Sequence, residues 1–225
     1  MDYQSRSGVP AKKRLRDRLI ALTARHPDWV IGFQDETWWS RFIQPRLSAW
    51  SPDGQPLHLV EQTPRAKDTG GKALACYGIL LRDCPQEADH WEERIWLRFV
   101  DGRPVSAITT QFLAWCCTKL QALGKRVFIL VWDNASWHIS RVVKDWLAEH
   151  NRQVQQTGQG VRIFVCPLPI QSPWLNPIEP KWVHGKRRIV EPDRALPPLE
   201  LEERVCAALD CPREDHLSLP KMSSD

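Results

Sequence analysis

Apolar positions along the chain fall into short bounded runs whose spacing alternates between that of strands and that of helices. Trp29-Val-Ile-Gly-Phe33 is apolar and ends at Gln34-Asp35-Glu36, which predicts a buried strand with a carboxylate at its C-terminal end. A second strand is predicted over residues 38–43, stopped by Pro45, and Ser51-Pro-Asp-Gly54 predicts a hairpin turn within residues 47–71. Residues 73–81 and 95–100 read as further strands. Residues 104–123 read as a long helix ended by Gly124, with Ile108, Phe112, Leu113, Trp115, Cys116 and Leu120 facing the core. Val127-Phe-Ile-Leu-Val-Trp132 is apolar at every position, the mark of a strand covered on both faces and central in its sheet, and it runs directly into Asp133-Asn134.

A helix over residues 141–150, a polar connection over 153–160 and a buried strand over 161–166 complete a strand-helix-strand unit, which implies parallel pairing. Beyond it, Asn176 is placed to cap a helix whose first turn holds Pro177 and Glu179. A last helix is predicted over 198–209, and the final dozen residues read as loosely ordered. At the other end, residues 10–26 form a basic amphipathic helix, with Leu15, Leu19, Ile20 and Leu22 on one face. Its cations either line a solvated surface or meet a nucleic-acid backbone. The expected architecture is α/β: a mixed sheet of about five strands flanked by helices, with a lead-in helix (1–28), a central domain (29–192) and a C-terminal helix and tail (193–225).

Composition narrows the class. The chain has 225 residues, 42% of them apolar, enough to bury one sizeable core, and its net charge of +4 excludes both a mainly disordered chain and a histone-like one. Seven cysteines without a CxxC pair read as ordinary buried thiols in a reducing compartment and argue against zinc. The longest apolar run is far shorter than the roughly 18 residues a membrane span needs, and no signal-peptide core follows the basic start, so a cytoplasmic, nucleoid-associated location is expected. Twelve tryptophans are unusual; most are assigned to the core, although such rings also stack on bases.

The chemistry gathers on carboxylates. Ligand sites in mixed sheets collect beyond the C-terminal ends of parallel strands, so Asp35, Asp133 and Glu179 are candidates to meet there. Three anions brought together would hold protons unless a cation compensates them, and oxygen-only ligands favour hard ions such as Mg²⁺ or Mn²⁺. Two such ions in one site serve phosphoryl chemistry. Each residue also has a plainer reading: Asp35 and Asp133 as turn residues, Glu179 as the partner of Asn176 in a capping box at a helix start whose dipole keeps it ionised. Glu36 should point to the opposite strand face and is not counted as a ligand.

The segments Gln34-Asp35-Glu36-Thr37, Val131-Trp132-Asp133-Asn134-Ala-Ser-Trp-His138 and Ser172-Pro-Trp-Leu-Asn-Pro-Ile-Glu179-Pro-Lys-Trp182 together resemble the catalytic domain of DDE transposases, specifically the bacterial insertion-sequence branch of the mariner-like superfamily. The resemblance covers about residues 29–189. It implies a ribonuclease-H-like fold with Asp35 and Asp133 on the first and fourth core strands and Glu179 on the helix after the fifth. It implies two Mg²⁺ (or Mn²⁺) ions on these three catalytic, metal-holding residues. It further implies DNA strand transfer, with water attacking a phosphodiester and the freed 3′-hydroxyl then joining target DNA, usually by a dimer acting on paired element ends. Asn134 and His138 are assigned a supporting role at the metals or the phosphate, with helix capping as the plainer alternative for His138. Lys181, Lys186, Arg187 and Arg188 are the expected DNA contacts, although a basic run at a helix C-terminus also complements the dipole.

Two departures shape the expectation. Asp133 and Glu179 are separated by 45 residues, a wide spacing ascribed to an inserted loop at 153–160, and some 28 residues precede the first strand, too few for an upstream helix-turn-helix. Either a separate helix-turn-helix chain supplies recognition of the ends, or the reading frame is a truncated, idle remnant that binds DNA or dimerises. A structure-selective nuclease of the same fold is the other alternative, disfavoured by Asn-Pro-Ile-Glu.

Overall fold

The computed structural model describes residues 9–41, 71–84, 90–170, 172–189 and 195–219. In chain order the elements are α1 (Val9–Thr23), β1 (Trp29–Ser40), β2 (Ala73–Asp83), β3 (Glu92–Val100), α2 (Ser106–Ala122), β4 (Val127–Trp132), α3 (Arg141–Thr157), β5 (Arg162–Pro167), α4 (Glu179–Ile189) and α5 (Pro198–Ala208). A 3-10 turn, Pro173–Leu175, lies between β5 and α4. The five strands form one sheet in the order β3-β2-β1-β4-β5, antiparallel on the β1-β2-β3 side and parallel on the β1-β4-β5 side. This is a ribonuclease-H-like α/β fold.

The sheet has a core on each face. Val30, Tyr77, Ile79, Phe128 and Leu130 pack against Phe112, Leu113 and Cys116 of α2 and Val143 of α3. On the other face Ile31, Phe33, Trp39, Ile129 and Val131 meet Trp182 and Ile189 of α4 and Leu201 and Val205 of α5, with Leu19 and Ile20 of α1 at the margin. The alternation of Val30 and Ile31 between these cores follows from the two-residue period of a strand. Trp39, Trp96, Trp132 and Trp182 are buried, whereas Trp38 and Trp174 are exposed. All seven cysteines are free, and five of them are buried. Among the described residues no helix is long and apolar enough to cross a membrane.

Several expectations are corrected. Residues 29–40 make one continuous strand of 12 residues, not two, so Asp35 lies mid-strand. Parallel pairing of β1 with β4 ends at Phe33↔Val131, while β2 accompanies β1 to Ser40↔Ala73, and this second partner carries the strand past the carboxylate. β1 is the middle strand; β4 is interior but one place from the edge. On the parallel side the edge strand is β5, and Arg162, Phe164 and Val165 on it are exposed, so the buried strand expected there is half open to solvent. The supposed inserted loop is mostly helix: α3 runs to Thr157 and closes on Gly158, whose φ of 65° suits a residue without a Cβ. Near the C-terminus the chain is docked, since Leu217 is buried and bridges Val100 while Arg98 bonds the carbonyls of Asp215 and His216. The hairpin expected within 47–71 lies, apart from Gly71, outside the described residues.

Two glycines let α4 sit close to the sheet. A Cβ on Gly78, which pairs with Asp35, would lie 2.3 Å from the Trp182 ring, and one on Gly185 would lie 2.8 Å from Trp39. The two indoles meet edge to face at 5.9 Å between centroids. Gly78→Ala therefore forces Trp182 out of its seat; overpacking of this kind costs about 1–3 kcal/mol, and the melting temperature should drop by roughly 2–12 °C. An unchanged thermal transition would contradict this packing.

Candidate active site

Asp35, Asp133 and Glu179 line one cleft of about 260 Å³, together with Asn134, Ala135, Leu168, Pro169, Ile170, Ser172, Pro173 and Asn176. The three carboxylates arrive from β1, from the loop after β4 and from the first turn of α4. The cleft opens at the C-terminal ends of the parallel strands, where the sheet stops and the connecting loops begin.

Asp35 is the most enclosed of the three. Its Oδ2 accepts a hydrogen bond of 2.9 Å from Trp182 Nε1. Burial, reinforced by the charges of Glu179, Glu36 and Asp133, pushes its carboxyl up to about 7 despite that bond. Glu179 is likewise raised, first by burial and also by Asp133, with Lys186 opposing. The expectation that its helix start simply keeps Glu179 ionised thus meets the stronger effect of desolvation. Lys186 Nζ donates to Thr37 Oγ1 at 2.6 Å and lies 5.8 Å from the centre of the Trp39 ring, so this cation stands over β1 beside the acids. Arg187 and Arg188 are exposed, and Lys181 forms an ion pair with Glu93 at 3.4 Å.

Asp133 differs from its partners. Its side chain is 57% exposed, and its pKa is lowered, chiefly by the bond from His138. Its Oδ1 also accepts the Ala135 N–H at 2.9 Å, so the turn-residue reading of Asp133 holds alongside its place in the cleft. His138 spans two carboxylates: Nδ1 lies 2.8 Å from Asp133 Oδ1 and Nε2 lies 2.9 Å from Glu36 Oε1. Burial alone would lower its pKa, but these two bonds prevail and raise it to about 9. The capping alternative for His138 fails, because Ser140 is the residue that caps α3, accepting from Val143 N.

Two asparagines tie the loops. Asn134, at the cleft wall, donates from Nδ2 to Leu168 O at 2.7 Å, joining the segments after β4 and β5. Asn176 does not cap α4 with its side chain as its spacing predicts; its Nδ2 donates to Gln34 O at 3.1 Å, and only its backbone carbonyl takes Glu179 N. The reason is register: Gln34 lies just beyond the last β1–β4 pair, and its buried carbonyl needs a donor that β4 no longer supplies. The basic helix α1 also works inward, with Lys12 Nζ on Leu168 O and Arg16 Nη1 on Leu175 O, so two of its cations brace the cleft wall. Sequence reasoning missed Glu36 as part of the site; its signal was the adjacent acid pair Asp35-Glu36, which puts one carboxylate on each face of the strand.

Among the described residues no group of three or more His, Cys, Asp or Glu side chains stands close enough to hold a metal ion. The chemistry of the cleft nevertheless suits a hard cation: its donors are oxygens, and two of its carboxylates are raised by burial and by mutual repulsion that a divalent ion would relieve.

Residues 92–197, which include Asp133 and Glu179 but not Asp35, match the family described as DDE superfamily endonuclease. No curated protein matches the chain. Among solved structures it is similar to the Mos1 transposase paired-end complex with left transposon end, at 16% identity over 96% of this chain and 57% of that one, with a TM-score of 0.62. It is also similar to the Mos1 mariner paired end complex with Mn, at 17% identity over 93% and 56%, TM-score 0.54. The catalytic domain of Mos1 mariner transposase matches at 15% identity over 94% and 84%, TM-score 0.51. The chain thus spans little more than half of the Mos1 chains in the paired-end complexes.

The raised Asp35 pKa has a signed consequence. The unfolded carboxyl ionises near 3.8 and the folded one near 7, so between these values the folded state holds the extra proton and loses stability as pH rises. In metal-free buffer, Asp35→Asn should therefore gain stability relative to the unaltered chain as pH climbs from about 4 to 7. Thermal melts of the two proteins across that range check this, and parallel curves would refute it.

Proposed function

We propose that this chain, which carries the fold of a DDE-type transposase catalytic domain, is a DNA endonuclease and strand transferase acting on the ends of a mobile element of the bacterial insertion-sequence, mariner-like kind. The observation that carries the reading is the convergence of Asp35, Asp133 and Glu179 on one cleft, from three distant parts of the chain. The match of residues 92–197 to DDE superfamily endonuclease supports it.

In this reading Asp35, Asp133 and Glu179 hold two divalent ions, Mg²⁺ or Mn²⁺. When bound, such ions supply Lewis acidity for an attacking oxygen and offset charge on a departing one. The chain's own residues do the rest. Trp182 holds the Asp35 carboxylate through Oδ2, and Lys186, anchored on Thr37, places a positive charge where DNA phosphate would enter. Arg187 and Arg188, exposed on the same helix, are the outer phosphate contacts, whereas Lys181 is partly engaged by Glu93. Water attack breaks the P–O3′ bond and leaves a 3′-hydroxyl; that hydroxyl then attacks a target phosphodiester and releases its 3′-oxygen. No covalent protein intermediate is needed. Double-stranded element ends and target are the substrates, a homodimer is the working unit, and a separate helix-turn-helix chain finds the ends. The cytoplasmic nucleoid is where these substrates lie.

The test uses supercoiled plasmid with Mn²⁺. The chain should nick it, and Asp35→Asn, Asp133→Asn and Glu179→Gln should each reduce nicking to background while leaving DNA binding intact. Equal nicking by Asp133→Asn would expose a contaminant, and binding without nicking by the unaltered chain would favour an idle remnant. Replacing Arg187 and Arg188 with Ala should weaken DNA binding at all sequences and lower the salt slope by about one per phosphate no longer neutralised; an unchanged slope would place the DNA elsewhere.

A further inference from the structure

Asp133 is the exposed member of the acidic set and the one carried on a loop, yet its carboxylate is held from beneath. Gln34 Nε2 donates to Glu36 Oε1 at 2.8 Å, Glu36 Oε1 lies 2.9 Å from His138 Nε2, and His138 Nδ1 lies 2.8 Å from Asp133 Oδ1. This line of side chains runs from the middle strand across the end of the sheet to the loop after β4. It is almost closed to water, since the His138 side chain is 1% exposed and that of Glu36 7%. The imidazole cannot turn, because it stacks on Trp132 at 4.5 Å with 6° between the planes while Trp137 meets its edge.

Each ring nitrogen faces one carboxylate oxygen, so the imidazole is held at both ends, by Glu36 behind the site and by Asp133 at its front. Glu36 Oε1 is shared between Gln34 Nε2 and His138 Nε2, which ties the imidazole to the middle strand. The Asp133 oxygen that takes this bond is also the one held by Ala135 N, which leaves Oδ2 for the cleft.

We infer that Glu36 and His138 are positioning residues for Asp133: the buried acid behind the site fixes the imidazole, and the imidazole fixes which Asp133 oxygen faces the cleft. The inference rests on reading Asp133 as a catalytic carboxylate. It gives the second acid of Gln34-Asp35-Glu36 a function distinct from that of the first, on the opposite face of the same strand.

The experiment compares the unaltered chain with Glu36→Gln, His138→Gln and the double variant. Glu36→Gln keeps the size of the side chain but replaces one carboxylate oxygen by an amide, which disturbs the contact behind the ring without emptying the space. Crystal structures should show the Asp133 carboxylate moved off His138 in Glu36→Gln, and calorimetry should show Mn²⁺ affinity reduced about 10–100-fold, the range for residues that orient metal ligands. The rate of plasmid nicking at saturating DNA should fall, with the half-saturating DNA concentration unchanged. The double variant should bind Mn²⁺ no more weakly than the worse single one, because the two residues act as one unit. An unmoved Asp133 with unchanged Mn²⁺ affinity in a folded Glu36→Gln protein, or additive effects in the double variant, would overturn the inference. Should His138→Gln fail to fold, Glu36→Gln alone decides through the carboxylate position and metal affinity. If the unaltered chain neither binds Mn²⁺ nor nicks, the catalytic reading fails on its own, while the position of Asp133 in the Glu36→Gln crystal still tells whether Glu36 places it.

Discussion

The close seating of α4 on the β1–β2 face is the contact on which the site depends. A helix approaches a sheet only as near as the intervening side chains permit, and here Gly78 and Gly185 remove two of them. Trp182 fills the gap at Gly78 and, from there, reaches Asp35 on the neighbouring strand. The same insertion sets the height of the helix start, and therefore the position of Glu179. Packing and polar chemistry are thus joined in one side chain: its ring secures the helix, while its N–H holds the carboxylate.

Bringing acids together in a poorly solvated cleft is unfavourable, and the structure answers with different devices for each. Asp35 is deeply enclosed and drawn toward protonation. Asp133 is kept ionised by a neighbouring imidazole. Glu179 lies between these extremes, with Lys186 nearby. Carboxylates pushed in opposite directions within one cleft mark it as a candidate functional site.

The loops around the cleft are fastened by residues whose sequence roles look local. Asn176 reads as a cap residue and Asn134 as a support for the metals or the phosphate, yet each donates to a distant backbone carbonyl. Lys12 and Arg16 read as surface cations, yet both bond the cleft wall. Buried or partly buried carbonyls at the ends of strands need donors, and the nearest long polar side chains are recruited whatever their local propensity.

Much of the architecture was legible in the chain. The all-apolar β4, the parallel β4-α3-β5 unit, the helices at α2 and α5, and the acids Asp133 and Glu179 at their element boundaries follow from periodicity and punctuation, which are local properties. What the sequence could not carry was decided by partners. Whether residues 29–40 break or continue depended on β2 running alongside them; whether β5 was buried depended on its having no further neighbour; whether the segment before Gly158 was loop or helix depended on α3 having a face to pack. Glu36 shows the limit most clearly. Its alternation to the far face of β1 follows from the strand period, but its bond to His138 joins residues 102 positions apart, and only a folded sheet end brings such groups within reach. Local spacing determines which side of an element a residue occupies; what waits on that side is settled by tertiary packing.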